Sequence, residues 1–380
     1  MSWSVALTDI KITDEDVEAV LDCLRGGWLT MGPRVKEFER KFAEYVGVEH
    51  AVAVSSGTAA LHLAALAAGI GQGDEVIVPN LTFVASAAAA RYCGATPILC
   101  DSIGRGDLNL DPADVAARIN SRTRAVVAVH FMGYAAEIER LRALCDKRGL
   151  VLIEDTAQAI GARTRSGRMA GTVGDLGCFS LFSKKQLCVG EGGMVVTSDD
   201  DLAARVRLLR SHGMTSVTWD RHQGYAETYD LVEVGFNFRM DEPRAALGLS
   251  RITRLDDDIA VRRARVRRYR DGLRRCAADM IDLPWSDEDV ERSSHFAFPV
   301  LLPNREARDR LTTDLAGLGI QTTAYPALSD LSEYAAGGRD LTLRRSAELA
   351  EHHCALPLSS VMSEADVDAV IAAVARLAAP

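Results

Sequence analysis

The chain has 380 residues, 48% of them hydrophobic and 26% charged, which is enough for a large core and two lobes in one compact unit. Its formal net charge of −9 argues against a broad nucleic-acid-binding surface, because phosphate backbones are bound by clustered lysines and arginines. Arginine greatly outnumbers lysine, which narrows the search for a lysine nucleophile to Lys11, Lys36, Lys41, Lys147, Lys184 and Lys185.

The eight cysteines are scattered along the chain, without a CxxC pair or a compact disulfide-like spacing. This pattern favours reduced thiols, and we expect no metal site. The N-terminal sequence lacks a basic segment followed by an apolar one, and no apolar run is long enough to span a bilayer. We therefore expect a soluble, cytoplasmic protein that binds neither nucleic acid nor membrane.

The first predicted element is a helix in ITDEDVEAVLDCLRGGW, which opens with a capping-box-like pair, Thr13 and Asp16, and stops at Gly26. A second helix is predicted in VKEFERKFAEYVG. From about residue 50, short Val/Ile-rich runs such as HAVAVSS, DEVIVP, TPILCD, RAVVAVH and LVLIEDT alternate with helix-length segments. This alternation predicts an α/β domain with a mostly parallel central sheet covered by helices.

Residues 175–197 indicate a strand, a glycine-containing loop and a second strand. The segment DEPRAALGLSRITRLDDDIAVRRARVRRYRDGLRR predicts a helix pair or one long bent helix. Beyond it, HFAFPVLLP and IQTTAY indicate strands, and REARDRLTTDLAGLG and SEADVDAVIAAVARL indicate helices, which is typical of a small α+β lobe. We predict a large domain over residues 1–250, and a long connecting helix with a small C-terminal α+β domain over residues 251–380.

Open α/β sheets place their ligands at the C-terminal ends of the strands, so polar residues there are candidate site residues. Gly57 and Thr58 follow a strand and open a helix, whose free N–H groups suit a phosphate. The alternative is an ordinary helix cap with a turn glycine. Asp155 emerges at the end of LVLIE, where a protonated ring nitrogen of a ligand would be a suitable partner; the alternative is a cap for the next turn.

The adjacent pair Lys184 and Lys185 lies between Ser180 and the glycine-rich run Gly190-Glu191-Gly192-Gly193. A lysine must be neutral to attack a carbonyl, and burial lowers its pKa in that direction. If this stretch is extended, at most one of the two points inward. Two surface lysines are the alternative reading of the pair.

Together these clusters resemble the DegT/DnrJ/EryC1/StrS sugar aminotransferases, which are fold-type I enzymes that depend on pyridoxal 5'-phosphate (PLP). The resemblance runs over nearly the whole chain, through GGWLTMGPRVKEFERKFAEYVG, AVSSGTAAL, DEVIVPNLTFVASA, VHFMG, EDTAQAIGA, CFSLFSKKQLCVGEGGMV and GFNFRMDEPRAALGL. In that family the pattern FSxxxxKxxxxGEGG carries the Schiff-base lysine. Its lysine falls on Lys185 and leaves Lys184 at a variable position.

The resemblance also implies the remaining cofactor contacts. Gly57, Thr58 and Ser180 hold the phosphate, and Asp155 pairs with the pyridine nitrogen. Further contacts are implied to the phenolic oxygen, to one ring face and to the phosphate of the neighbouring subunit, from Gln158, Phe83 and Asn237 respectively. The last contact implies a homodimer with shared active sites. From the residues alone, Phe83 would more often be a core residue, so this assignment rests mostly on the resemblance.

Two stretches depart from the family pattern. Phe182, Ser183 and Lys184 replace the family's usual histidine or tyrosine, proline and threonine, so phosphate contacts from this stretch stay open. Ala324 replaces the histidine of a common His-Tyr-Pro pattern, which leaves substrate contacts there open.

Substrate contacts are carried by weaker signals. Arg239 and the stretch from Trp28 to Thr30 are candidates for binding the nucleotide diphosphate of the sugar. Arg239 fits an intersubunit salt bridge equally well, and Trp28 fits packing equally well. His130 and His212 are candidates for the border of the pocket, although satisfied buried histidines explain them better.

The favoured reaction takes an amino group from an amino acid, with L-glutamate favoured, to dTDP-4-keto-6-deoxyglucose, giving dTDP-4-amino-4,6-dideoxyglucose with ping-pong kinetics. A 3-keto sugar or a keto-cyclitol would use the same cofactor site. A sugar dehydratase of the same family ranks lower because the lysine is retained and the cysteines are not clustered. A PLP-binding regulator without catalysis is a further alternative. A nicotinamide enzyme would need Gly69, Gly71 and Gly73 as its phosphate loop, but these follow a helix and lack the GxGxxG spacing.

Overall fold

The computed structural model describes residues 3–335 and 342–378. Its strands are β1 (His50–Val54), β2 (Glu75–Pro79), β3 (Thr96–Cys100), β4 (Ser102–Gly104), β5 (Asp107–Leu110), β6 (Thr123–Val129), β7 (Val151–Asp155), β8 (Leu176–Ser180), β9 (Gly193–Thr197), β10 (Phe298–Leu301) and β11 (His353–Leu356).

Its helices are α1 (Asp14–Arg25), α2 (Pro33–Val46), α3 (Gly57–Ala67), α4 (Ala85–Tyr92), α5 (Pro112–Arg118), α6 (Ile138–Arg148), α7 (Asp200–Arg210), α8 (Thr218–His222), α9 (Glu242–Ile252), α10 (Leu255–Cys276), α11 (Asp287–Arg292), α12 (Arg305–Gly317), α13 (Ser332–Ala335), α14 (Arg344–His352) and α15 (Glu364–Ala378). Short 3₁₀ turns lie at Phe131–Gly133 and Leu328–Asp330. No helix in the described part of the chain combines the length and the apolarity needed to cross a membrane.

The central sheet of the described residues has the strand order β1-β9-β8-β7-β6-β2-β3. The pairs from β3 through β2, β6 and β7 to β8 are parallel, whereas β9 runs antiparallel to both β8 and β1. The mostly parallel α/β sheet expected from the sequence is therefore confirmed. Because β1, β7 and β8 all run in one direction, their C-terminal ends meet at one edge of the sheet.

Both faces of this sheet are buried, as its continuous apolar strands require. In β6, Ala125 and Val127 pack on the side of α3 and α4, whereas Val126 and Ala128 pack on the side of α5 and α6. The period of two residues follows from the pleat of a strand. These two layers fix the sheet edge at which the strand ends converge.

The N-terminal helices are tied to α9 through a buried carboxylate. The capping box predicted at Thr13 is present at the start of α1, but α2 has no side-chain cap of its own. Glu242, at the start of α9 and 2% exposed, instead accepts hydrogen bonds from the N–H groups of Gly32, Arg34 and Val35 at 2.9, 3.0 and 2.9 Å. The orphan donors at the start of α2 are thereby satisfied by a residue far along the sequence.

The C-terminal elements form a smaller layer around the antiparallel pair β10 and β11. The segment DEPRAALGLSRITRLDDDIAVRRARVRRYRDGLRR is a helix pair, α9 and α10, as one of the two predicted options had it. The strand expected in IQTTAY is absent, because this stretch makes only isolated bridges at Ile320 and Thr323. The predicted boundary between residues 250 and 251 falls near the end of α9, and the division into two domains stays a prediction.

Candidate active site

A cavity of about 330 Å³ opens where β1, β7 and β8 end. The residues predicted from the sequence that line it are Gly57, Thr58, Phe83, Asp155, Gln158, Ser180 and Lys185. They come from segments up to 128 positions apart, and the common direction of the strands brings them together.

The start of α3 forms one wall of the cavity. Ser56 caps the helix by accepting a hydrogen bond from the Ala59 N–H at 3.1 Å. Within the described residues, the N–H groups of Gly57 and Thr58 donate to no protein acceptor. A side chain at Gly57 would bring a Cβ to 2.8 Å from the Cβ of Ser180, so only glycine allows the helix to sit this close to β8. Free donors at a helix start that faces a cavity form a site for an anion.

Asp155 ends β7 and is 5% exposed. Its carboxylate accepts hydrogen bonds from the Ser86 hydroxyl at 2.7 Å and from the Ala157 N–H at 3.1 Å. Burial raises the pKa of Asp155, and the hydrogen bonds from Ser86 and Ala157 and the charge of Lys185 offset this only in part. A protonated ring nitrogen in the cavity would add a further cation and would bring the pKa down again.

Lys185 lies in a loop between β8 and β9 whose stem is closed by backbone hydrogen bonds, from Leu181 N–H to Gly192 O at 2.8 Å and from Ser183 N–H to Gly190 O at 3.0 Å. The stretch is a turn, not extended as supposed, because the Lys185 N–H donates to Phe182 O at 2.8 Å. Lys185 is nevertheless partly buried in the cavity, whereas Lys184 is exposed. Burial lowers the pKa of Lys185 to about 8, against a partial opposing effect of Asp155.

Phe83 and Gln158 line the same cavity and could contact a planar ligand. The Phe83 side chain is 55% exposed, which contradicts the core alternative. Gln158 is buried, and its Oε1 accepts from the Met132 N–H at 2.8 Å. Among the described residues its Nε2 has no acceptor, so this donor is available to a ligand oxygen.

The other predicted residues do not reach this cavity within one chain. Asn237 and Thr30 are exposed, and Arg239 is half-buried without an ion pair among the described residues. Trp28 packs against the rings of Trp219 at 4.8 Å and His222 at 4.7 Å, in line with its packing alternative.

The two candidate histidines differ in burial. His130 is fully buried and its ring nitrogens bond Glu154 and the Ala136 N–H, whereas His212 is exposed, so the reading as a buried histidine is wrong for His212. The reading of His130 as a satisfied structural histidine is therefore confirmed.

Comparison with known proteins agrees with this geometry. A profile of the DegT/DnrJ/EryC1/StrS aminotransferase family matches residues 10–375. The chain belongs to this family.

Two curated relatives match nearly end to end. GDP-perosamine synthase of Caulobacter vibrioides is 38% identical over 367 residues, 96% of this chain and 95% of that protein. The spore coat polysaccharide biosynthesis protein SpsC of Bacillus subtilis is 36% identical over 371 residues, 96% and 94% of the two chains.

Solved structures agree as well. DesV of S. venezuelae superposes with a TM-score of 0.90 at 34% identity over 99% of both chains. The PLP form of the sugar aminotransferase Spr1654 of Streptococcus pneumoniae superposes with a TM-score of 0.89 at 26% identity over the full length of both chains. The chain is thus a PLP-dependent sugar aminotransferase of fold type I.

The cavity of this aminotransferase fits its cofactor. A buried carboxylate whose pKa is raised, unpaired N–H groups at a helix start and a partly buried lysine face one space, and these match a ring nitrogen, a phosphate and an aldehyde respectively. The position of Gly57, where a Cβ would collide with Ser180, shows that the phosphate end of the cavity is shaped by backbone.

Several residues of the site were not identified from the sequence. Phe182, Phe296 and Tyr325 line the cavity, and Ser86 holds Asp155. Phe182 and Tyr325 lie in the two stretches that depart from the family pattern, and this departure was the only sequence feature that could have indicated them. Ser86 and Phe296 carry no motif, since their roles depend on contacts between distant segments.

Glu154, next to Asp155, points away from the cavity and is fully buried. It accepts from His130 Nε2 at 2.8 Å and from the N–H groups of Gly171, Val173 and Gly174 at 2.8, 2.6 and 2.5 Å. Burial raises the pKa of Glu154, but the hydrogen bonds from His130 and from the backbone outweigh it, so the net shift is downward. Glu154 therefore joins β6, β7 and the loop before β8.

We predict that Glu154→Gln lowers the free energy of unfolding by about 3 kcal/mol at neutral pH, because it removes one charge from a buried, hydrogen-bonded pair. The folded-state pKa of Glu154 lies below its unfolded value near 4.5, so its contribution is complete above that pH and is lost as the pH falls through the folded-state pKa. Urea unfolding across acidic pH should show the gap between wild type and variant narrowing.

The control is Glu18→Gln, which alters an exposed carboxylate paired with Arg25 and should change little at any pH. A gap for Glu154→Gln that stays constant down to low pH would contradict the proposed charge on Glu154.

Proposed function

We propose that this aminotransferase moves an amino group from an amino acid, with L-glutamate favoured, to the keto group of a nucleotide-linked sugar. The observation that carries the proposal is the single cavity in which Lys185 and Asp155 lie beside the free N–H groups of α3. An alternative without a chemical step would not need a lysine whose pKa burial lowers to about 8.

In this proposal Lys185 is the residue that bonds the cofactor. Bound PLP supplies an electron-withdrawing ring and carries the amino group between the two substrates. Asp155 holds the proton on the ring nitrogen. The N–H groups of Gly57 and Thr58 bind the phosphate together with the Ser180 hydroxyl. Gln158 Nε2 donates to the phenolic oxygen, and Phe83 covers one face of the ring.

Lys185 Nζ is also the proposed proton carrier. A pKa of about 8 leaves a useful fraction of the amine neutral at physiological pH, so Nζ can accept the α-proton of the donor and return it on the other side of the reaction. Phe182 and Tyr325 border the same space and would limit the access of water. Because the cofactor would hold the amino group between the two half-reactions, the keto acid would leave before the keto sugar binds, and ping-pong kinetics are expected.

The proposed acceptor is a nucleotide-linked 4-keto-6-deoxyhexose, and dTDP-4-keto-6-deoxyglucose is the candidate favoured by the sequence. Its product would be dTDP-4-amino-4,6-dideoxyglucose. A GDP-linked keto sugar is the second candidate, since two of the matching relatives are GDP-perosamine synthases, at 38% and 42% identity. Arg239 and the stretch from Trp28 to Thr30 are the proposed contacts of the nucleotide diphosphate.

We propose a homodimer whose two subunits share each active site. Asn237 is exposed and does not line the cavity of its own chain, so a role at the cofactor phosphate needs a second copy. The segment before it displays apolar side chains to solvent, among them Tyr225 at 78% and Val234 at 83% exposure. Such a surface is typical of an interface.

A cytoplasmic location is part of the same proposal. All eight cysteines are free thiols in the structure, and seven of them are buried or half-buried. Free thiols suit a reducing compartment.

The neighbouring lysines give a matched test of the site. Lys185→Ala should abolish the visible absorbance of lysine-bound PLP and lower amino transfer by roughly 10²- to 10⁴-fold, because the proton carrier is lost. Lys184→Ala removes an exposed amine one position away and should leave both unchanged. Absorbance spectra with and without glutamate measure the outcome, and retained absorbance in Lys185→Ala would overturn the assignment.

A panel of keto sugars tests the acceptor. Glutamate should convert the enzyme to the pyridoxamine 5'-phosphate form, and the correct keto sugar should restore the original absorbance. The panel contains dTDP- and GDP-linked 4-keto-6-deoxyhexoses, a dTDP-linked 3-keto sugar and a keto-cyclitol. Nuclear magnetic resonance of the product identifies the aminated carbon. Restoration by the 3-keto sugar or the cyclitol alone would refute the 4-keto proposal.

Subunit mixing tests the shared site. Asn237→Ala and Lys185→Ala should each be nearly inactive, but a mixed dimer holds one intact site if Asn237 serves its partner's cofactor. Random reassembly should then recover about a quarter of the wild-type activity, since half of the dimers are mixed and each has one working site. No recovery after proven subunit exchange would place Asn237 in its own chain's site or in none.

A further inference from the structure

The amine of Lys185 faces an aromatic ring from the C-terminal part of the chain. Its Nζ lies 4.0 Å from the centre of the Phe296 ring, within the range of a cation–π contact. Among the described residues this Nζ makes no hydrogen bond or ion pair. The ring face therefore favours the ammonium form of this amine, as the charge of Asp155 also does.

Phe296 is held there by a close approach of two backbone segments. The Phe296 N–H donates to Met132 O, and the Ser294 N–H donates to Gly133 O, both at 3.1 Å. A side chain at Gly133 would place a Cβ 2.7 Å from the backbone nitrogen of Phe296. Met132, Gly133 and His295 all have positive φ, at 58°, 95° and 54°. At Met132 and His295, which are not glycines, such backbone persists only where the surroundings determine it.

Gln186, the residue after Lys185, joins these contacts into a closed set of hydrogen bonds, the Gln186 circuit. Its Nε2 donates to Ser294 Oγ at 3.0 Å and to Gln158 O at 2.9 Å. Gln158 Oε1 accepts from the Met132 N–H, and the Met132 O accepts from Phe296. The circuit joins the lysine loop, the turn after β6, the turn after β7 and the Phe296 segment.

We propose that Phe296 is a positioning residue for Lys185: its ring face receives the free ammonium whenever the amine is not bonded to the cofactor, and the Gln186 circuit keeps the ring in that place. This inference rests on the proposed role of Lys185. It adds a residue that no sequence pattern indicates, and it explains why the loop residue after the lysine is buried.

Other groups also act on the Lys185 amine. Asp155 favours its charged form, and burial disfavours it. Glu191, Lys184 and Tyr325 border the same cavity. The test therefore changes the ring and leaves these groups in place.

The experiment measures the pKa of Lys185 in the pyridoxamine 5'-phosphate form of the enzyme, where the amine is free. Trace acetylation by acetic anhydride across neutral and alkaline pH, read for each lysine by mass spectrometry, gives the titration of each amine. Phe296→Leu should lower the pKa of Lys185 by roughly 0.4 to 1.5 units, because the ring no longer stabilises the ammonium. The acid limb of the glutamate half-reaction should move by the same amount.

Matched variants separate this effect from general damage. Phe296→Tyr keeps the ring face and should keep the wild-type pKa. Phe298→Leu makes the same change two residues on, in a buried ring stacked on Tyr269 at 4.8 Å, and should also leave the pKa unchanged. Lys184 is the exposed internal reference. An unshifted pKa in Phe296→Leu, or an equal shift in Phe298→Leu, overturns the proposal.

Gln186→Met tests the circuit with the ring intact, and it serves as well if Phe296→Leu does not fold. In this variant the pKa of Lys185 should fall, as in Phe296→Leu. An unchanged pKa would refute the role of the circuit. The wild-type enzyme distinguishes the two levels of inference. Equal acetylation of Lys185 in the PLP and pyridoxamine forms would refute its bond to PLP. Protection only in the PLP form would support that bond, and the variant pKa values then decide the role of Phe296.

Discussion

The site depends on the separation of two adjacent carboxyl groups at the end of β7. Glu154 and Asp155 point to opposite faces of the sheet because side chains alternate along a strand. Glu154 is surrounded by donors from the residue after β6 and from the loop before β8, which keep its pKa below the usual range despite burial. Among the described residues Asp155 has two donors, and burial raises its pKa despite the charge of Lys185, so a ligand cation would stabilise its charged form. The end of β7 thus supplies both a carboxylate that holds the surrounding segments together, Glu154, and a carboxylate that faces the cavity, Asp155.

Much of this arrangement could be predicted from the sequence. The alternation of Val/Ile-rich runs with helical segments is local and periodic, so the parallel sheet and the edge with the strand ends followed from it. The choice between Lys184 and Lys185 did not follow from local rules, since the stretch is a turn and not the extended piece that was supposed. The spacing from Ser180 to the GEGG run favoured Lys185, and the burial of its side chain agrees with that choice.

The residues that escaped prediction share one property: their partners are remote in sequence. Ser86 meets Asp155 across 69 positions, and Gln186 meets Ser294 across 108. Glu242 satisfies the start of α2 across 210 positions. A serine, a glutamine or a glutamate carries no pattern that reports such a contact. The same holds for contacts between subunits, because in the proposed homodimer the exposed Asn237 has a role only beside a second chain.

The loop that carries Lys185 is pinned at its stem by hydrogen bonds between residues 181 and 192 and between 183 and 190. These hydrogen bonds hold the backbone of the loop in place. The Lys185 amine therefore moves only as far as the four carbons of the side chain allow. In the proposed role, the release and return of the amine cost rotamer freedom of one side chain but no reordering of the loop. The displaced amine thus stays at a high effective concentration beside the carbon it left, which makes recapture an intramolecular event.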